Sequence, residues 1–168
     1  WAHDVFVHDA QTGVTTRVSV DSSGGQVHGD SYCNSLSHDG GYVAFESSSK
    51  TIVPGDTGNH RDVFVHDQQS GATERVSVDS SGGEGNGDSE NGSISADGRF
   101  VAFSSYATNL ASMDFNFVSD VFVHDRATGT TEGVSTPAWQ EATSGVSLAP
   151  SISADGLFVS FQSQYPYL

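Results

Sequence analysis

Cysteine (Cys33), lysine (Lys50) and methionine each occur once in 168 residues. A lone cysteine excludes an internal disulfide framework, and its expected role is that of a small buried residue. Basic residues are scarce: Lys and Arg together number 6 against 21 Asp and Glu, for a formal net charge of −15. A nucleic-acid partner requires a basic footprint to neutralise phosphates, so the charge argues against that class. It argues equally against docking on an anionic membrane. No apolar run approaches the ~20 residues of a membrane-spanning helix, so no membrane insertion is expected. No stretch carries a sustained helical period. The sequence has no Gly-x-Ser-x-Gly elbow, no Gly-x-x-x-x-Gly-Lys loop to cradle phosphate and no Cys-x-x-Cys.

What is present is a repeat, and internal repeats decide the fold before anything else. Asp-Val-Phe-Val-His-Asp starts at Asp4, Asp62 and Asp120, each 58 residues after the last. Val-Ser-Val-Asp-Ser-Ser-Gly-Gly starts at Val18 and Val76, and Ser-Ile-Ser-Ala-Asp-Gly at Ser93 and Ser151 with Ser-Leu-Ser-His-Asp-Gly at Ser35. Each unit reads as four strands. The first is short, around Ser35–Ser37, Ser93–Ser95 and Ser151–Ser153. The second covers Tyr42–Glu46, Phe100–Ser104 and Phe158–Gln162. The third covers Val5–His8, Val63–His66 and Val121–His124, and the fourth Thr16–Val20, Glu74–Val78 and Thr131–Ser135. Asp-Gly turns join the first strand to the second, and Thr-Gly or Ser-Gly turns join the third to the fourth. β-Branched and aromatic residues fill the strand positions.

The second and third strands are apolar on both faces, so the sheet they form must be covered on both sides. Four-stranded sheets repeated in sequence and stacked face to face are propeller blades. The predicted fold is therefore all-β, a β-propeller with three four-stranded blades per chain, occupying 1–168 as a single domain. The rival, a parallel β-helix, has shorter coils and lacks paired tight hairpins. The register places whole blades at about 33–78 and 91–136, and a composite blade from 1–20 plus 147–168. Three blades are fewer than the four to eight that close a ring. The expected remedy is a homodimer in which the two ends of each chain complete blades of a six-bladed ring, the alternative being a fragment of a longer propeller.

The stretch Ser95 to Ser105 (Ser-Ala-Asp-Gly-Arg-Phe-Val-Ala-Phe-Ser-Ser), followed by Asp120 to Gly129 (Asp-Val-Phe-Val-His-Asp-Arg-Ala-Thr-Gly), resembles the blade signature of the TolB-like (WD-repeat-like) β-propellers. The resemblance extends over nearly the whole chain. It implies a propeller, usually a binding or scaffolding module, and favours a periplasmic or secreted location. Related blades accompany hydrolase domains in prolyl-oligopeptidase-like enzymes, but no hydrolase domain is present in this sequence. Ser-Ala-Asp-Gly also resembles the Asp-box turn of sialidase propellers, whose chemistry needs an arginine cluster. The five arginines of this chain occupy scattered blade positions.

Candidate sites concentrate in the loops. The long polar connections from Asp21 to Asn34 and from Asp79 to Asn91 should share one face with the second-to-third-strand loops and overhang the central channel. Asp30, Asp88, Glu90 and Asn91 are the candidate ligand-binding residues there, with Trp139 a stacking platform for a sugar. Asp56, Asn59 and Asp62, and likewise Asp114, Asn116 and Asp120, have a spacing able to place oxygens around calcium, although the full twelve-position calcium loop is absent. For both groups the competing reading is that these residues form Asx-turns that end strands. The pairs His8-Asp9, His66-Asp67 and His124-Asp125 recur once per repeat, which suits a structural role better than a catalytic one. The leading functional expectation is a non-catalytic module binding a small polar ligand, a glycan or a protein partner. The alternative is a hydrolase or lyase with acid and base carboxylates at the channel mouth of the assembled ring. A scaffold keeps its loops repetitive, as those of the first two repeats are, whereas an enzyme should concentrate unmatched polar residues in one blade's loops, and the third repeat diverges.

Overall fold

The computed structural model describes residues 2–112, 117–135 and 145–165. Its strands are β1 (Phe6–His8), β2 (Thr15–Arg17), β3 (Ser31–Leu36), β4 (Tyr42–Ser47), β5 (Asp62–Asp67), β6 (Thr73–Arg75), β7 (Ser89–Ile94), β8 (Phe100–Ser105), β9 (Asp120–Asp125), β10 (Thr130–Gly133), β11 (Ser147–Ile152) and β12 (Val159–Ser163). There is no helix among the described residues. Two antiparallel four-stranded sheets, β3-β4-β5-β6 and β7-β8-β9-β10, are flanked by two-stranded sheets, β1-β2 and β11-β12. The two end sheets do not pair with each other, so no composite third blade is formed, and no sheet closes on itself among the described residues. The first strands, β3 and β7, are six residues long and start four earlier than the sequence suggested, because Ser31 and Ser89 pair with Ser47 and Ser105. A bulge then breaks each ladder, between Cys33 and Ser35 and between Glu90 and Ser93.

Repeated polar locks explain why each unit folds alike. In the Asp-Gly turns, Ser37 Oγ donates to Asp39 Oδ1 at 2.8 Å and accepts from Tyr42 N–H at 2.9 Å, while Gly41 N–H donates to Asp39. Ser95 and Asp97, and Ser153 and Asp155, repeat the arrangement. At the start of the third strand, Ser77 Oγ donates to Asp62 Oδ1 at 2.6 Å and accepts from Val63 N–H, and Ser135 does the same for Asp120 and Val121. His8, His66 and His124 each meet a threonine hydroxyl of the next strand at 2.9 Å (Thr15, Thr73 and Thr131), which is a strand-pairing contact.

Stacking of the sheets makes the core. Val43, Phe45 and Phe64 of the first whole blade meet Val5 and Val18 of the β1-β2 pair. On its other face, Ala44, Val63 and Val65 meet Ile94, Val101, Phe103 and Phe122 of the next blade. The directly opposed rings Phe45–Phe64 and Phe103–Phe122 lie 5.6 and 5.8 Å apart, near-parallel. Burial on both faces holds in the whole blades only: Phe158 of the β11-β12 unit is 72% exposed and Phe6 of β1 is 52% exposed. Cys33 is exposed on β3, against the expectation of a buried position, because its strand is the inner edge of its sheet.

Phe103 is completely buried, and Phe103→Ala should cost about 3–5 kcal/mol in urea unfolding through lost transfer energy and a residual cavity. The exposed Val14→Ala should change stability by no more than about 0.5 kcal/mol.

Candidate functional site

The long fourth-to-first-strand connections and the second-to-third-strand loops meet on one face. Arg61 N–H donates to Asp88 Oδ1 at 2.9 Å, and His3 N–H donates to Asp30 Oδ1 at 2.9 Å. The imidazoles of His60 and His3 lie beside the same carboxylates, at 3.4 and 3.0 Å. Asp30 and Asp88 therefore brace the entry to the third strand of the neighbouring unit, at matched positions of two repeats. The His3 hydrogen bonds hold the Asp30 carboxyl below its ordinary range.

Next to these braces, six residues converge that depart from the repeat. Arg61 Nη1 donates to Glu46 Oε1 at 3.1 Å and to Glu90 Oε2 at 3.2 Å. Its guanidinium carbon stands 5.7 Å from the centre of the Tyr32 ring. The other Glu46 oxygen accepts from Asn91 N–H at 2.8 Å and from Asn34 Nδ2 at 3.1 Å. Asn91 adopts a left-handed backbone with φ 58°, which turns its N–H toward Glu46, and its side chain donates to Ser104 Oγ. Glu46 is buried, whereas Arg61 and Tyr32 remain partly open to solvent. Asn34 Oδ1 is buried without a hydrogen-bond partner. Arg61 corresponds to His3 and Ser119 in the repeat register, Glu46 to Ser104 and Gln162, and Glu90 to Tyr32 and Leu148. Of the candidate ligand residues, Glu90 and Asn91 thus join one cluster, Asp30 and Asp88 act as braces, and Trp139 lies outside the described residues. Arg61, Glu46 and Tyr32 were not singled out by sequence reasoning. Their departure from the repeat was the available signal.

The candidate cation ligands gather around a different arginine. Carboxylate oxygens of Asp56, Asp62 and Glu84 lie within 4.8 Å of one another. Arg75 Nη1 sits among them, at 3.6, 3.4 and 3.0 Å respectively. Glu84 also accepts from Thr57 N–H, Thr57 Oγ1 and Gly58 N–H. The guanidinium occupies the position a calcium ion would need, so these oxygens fit the ion only if Arg75 withdraws. Asn59 turns instead to the Lys50 ammonium. Asp120 is wholly buried at the matching position of the next blade, where it receives the Ser135 hydroxyl. Asp114 and Asn116 lie outside the described residues.

Burial raises the Asp62 carboxyl to about 6, only partly offset by the Ser77 hydroxyl and Arg75. Burial also raises Asp56. Burial acts the same way on Glu84, but hydrogen bonds from Thr57 and Gly58 outweigh it and hold that group below its ordinary value. A carboxyl whose folded pKa lies above its unfolded 3.8 adds stability in acid that is lost as the pH rises through about 6. Asp62→Asn removes this titration. Between pH 4 and pH 7 the native protein should lose up to about 3 kcal/mol relative to the variant, read from urea midpoints at both pH values. A constant difference across that range would show that Asp62 does not titrate there.

No family model matches the chain, and no curated protein sequence matches it. Solved structures do. TolB from Acinetobacter baumannii superposes with a TM-score of 0.55 at 20% identity over 93% of this chain. A putative TolB from Agrobacterium tumefaciens superposes with a TM-score of 0.54 at 19% identity over 97%. The tricorn protease gives 0.58 at 14% identity over 95%. The chain spans 31%, 50% and 13% of those three chains, so it corresponds to part of each. Structure and blade motifs agree: this chain has the fold of the TolB-like β-propellers.

Proposed function

We propose that the protein is a non-catalytic β-propeller binding module that takes a small polar ligand or glycan on its loop-rich face, in the periplasm or outside the cell. The observation that carries this reading is the convergence of Tyr32, Arg61, Glu90, Asn34 and Asn91 at the inner edge of β3 and β7. A repeat protein maintains its scaffold with repeated residues. Polar residues that break the repeat and still meet in space are free to serve recognition, and these are drawn from two adjacent blades, chiefly from their strands, rather than from the loops of one. An aromatic face, a guanidinium with open donors and a carboxylate are the groups that hold hydroxyl-rich ligands. The hydrolase or lyase alternative needs an acid and a base facing a common free space. The described carboxylates of this face are instead engaged by Arg61, Arg75 or backbone N–H groups, which favours binding over turnover.

Titration calorimetry with a panel of neutral and acidic oligosaccharides tests the reading. At least one should bind, and Tyr32→Ala and Arg61→Ala should each weaken it about tenfold or more, a loss of about 1.4 kcal/mol. Asp9→Ala, in a remote turn, should leave binding unchanged. Hydrolysis of any panel member, abolished by Glu90→Gln, would replace this proposal with the enzymatic one.

A further inference from the structure

Resting on the binding reading above, we infer that the ligand of this site carries a primary ammonium among its hydroxyls, as an amino sugar does, and that Glu90 is the residue that receives it. The charge of the site is the first reason. It holds the carboxylates of Asp30, Asp88, Glu46 and Glu90 and the guanidinium of Arg61. Even with His3 and His60 both protonated, these carboxylates leave the site negative. An acidic ligand would add like charge, whereas an ammonium relieves the excess.

The two carboxylates that share Arg61 are not equivalent. Its Nη1 bridges Glu46 Oε1 and Glu90 Oε2. Glu46 takes two further donors on its other oxygen, Asn91 N–H and Asn34 Nδ2, and its side chain is only 9% exposed. Glu90 has no side-chain donor besides Arg61 among the described residues, and its side chain is 28% exposed. Glu46 thus anchors the guanidinium, and Glu90 keeps Oε1 for a donor from outside. Asp88 is similar: Oδ1 accepts the Arg61 N–H, and Oδ2 has no bond to any described residue. A primary ammonium donates three hydrogen bonds and accepts none. It matches a site whose unused groups are mainly carboxylate oxygens.

The surroundings fit a sugar rather than a bare cation. A cavity of about 320 Å³ opens between β3, β7 and β11, with Asn34, Ser35, Asn91 and Ser93 in its wall. That volume lies at the low end of small-molecule pockets. Asn34 and Asn91 belong both to this wall and to the Glu46 network, so the charged rim and the cavity form one site. Asn34 Oδ1, without a hydrogen-bond partner, is a further acceptor short of a donor. The remaining donors of Arg61 and the exposed Tyr32 then serve the hydroxyls and the ring of the sugar. An inorganic cation or a simple polyamine would leave those groups unused.

The test is calorimetric titration of the 168-residue chain with a short glucosamine oligomer and with its fully N-acetylated counterpart of the same length. The titrations are run at about pH 6, where the amine is charged. The glucosamine oligomer should bind about tenfold or more tightly than the acetylated one, because only it donates charge-assisted hydrogen bonds. This comparison needs no variant. Glu90→Gln should then reduce the preference to about threefold or less. Glu132→Gln, which removes the same charge from the exposed face of β10, should leave the preference intact. Equal or weaker binding of the glucosamine oligomer overturns the inference while the binding module stands. A preference that survives Glu90→Gln overturns the role of Glu90. Spermidine binding as tightly as the oligomer overturns the amino sugar. Failure of every oligosaccharide, amine-bearing or not, defeats the binding reading itself.

Discussion

A β-sheet that is apolar on both faces has to be covered on both faces. In this chain Val43 and Phe45 point to one side of β4 while Ala44 points to the other, and all three are buried. Each sheet can meet that demand only by standing between two others of its own kind. The fixed spacing of the repeat makes those neighbours identical in kind, and stacking them produces an arc of blades. The stacked phenylalanine pairs, the aromatic rings seated on turn glycines and the isoleucine contacts of the inner strands all serve this face-to-face burial.

Polar groups fix the register of the stack. Serine hydroxyls and aspartate carboxylates close each turn and the start of each third strand, satisfying backbone N–H groups that face away from the sheet ladder. Most of the unusual aspartate content of the chain is used this way. Its turn carboxylates, at Asp9, Asp67, Asp39, Asp97 and Asp155, lie below the ordinary range because hydroxyl and N–H donors favour the charged form. The strong negative charge of the sequence therefore reflects turn construction more than an affinity for cations. Arg75, set among Asp56, Asp62 and Glu84, supplies an internal positive charge where these loops bring carboxylates together.

In the proposed binding module, it is the departures from this repetitive frame that would carry the specificity. Glu46, Arg61 and Glu90 belong to different strands and loops and form one cluster because β4 and β7 lie in adjacent blades. A repetitive scaffold can change such residues without disturbing the contacts that hold its blades together, since the locks reside elsewhere.

The sequence by itself determined the all-β fold, the blade order and the positions of the turns. Those depend on local chemistry and on a spacing that can be read directly: Asp-Gly and Thr-Gly turns, alternating apolar strands, a strict 58-residue period. It also marked Glu90 and Asn91 as candidate ligand residues. Only the tertiary structure decided what they touch. Arg61 and Glu46 are 15 residues apart in one repeat, Glu90 stands in the next, and their meeting depends on the angle between blades, which no local pattern encodes. The same holds for Arg75, whose three carboxylate partners come from two loops and the first residue of β5. The openness of Phe6, Leu36 and Phe158 also became visible only in space. In sequence they are ordinary members of apolar strands, and what distinguishes them is the absence, among the described residues, of a sheet to stand beside them.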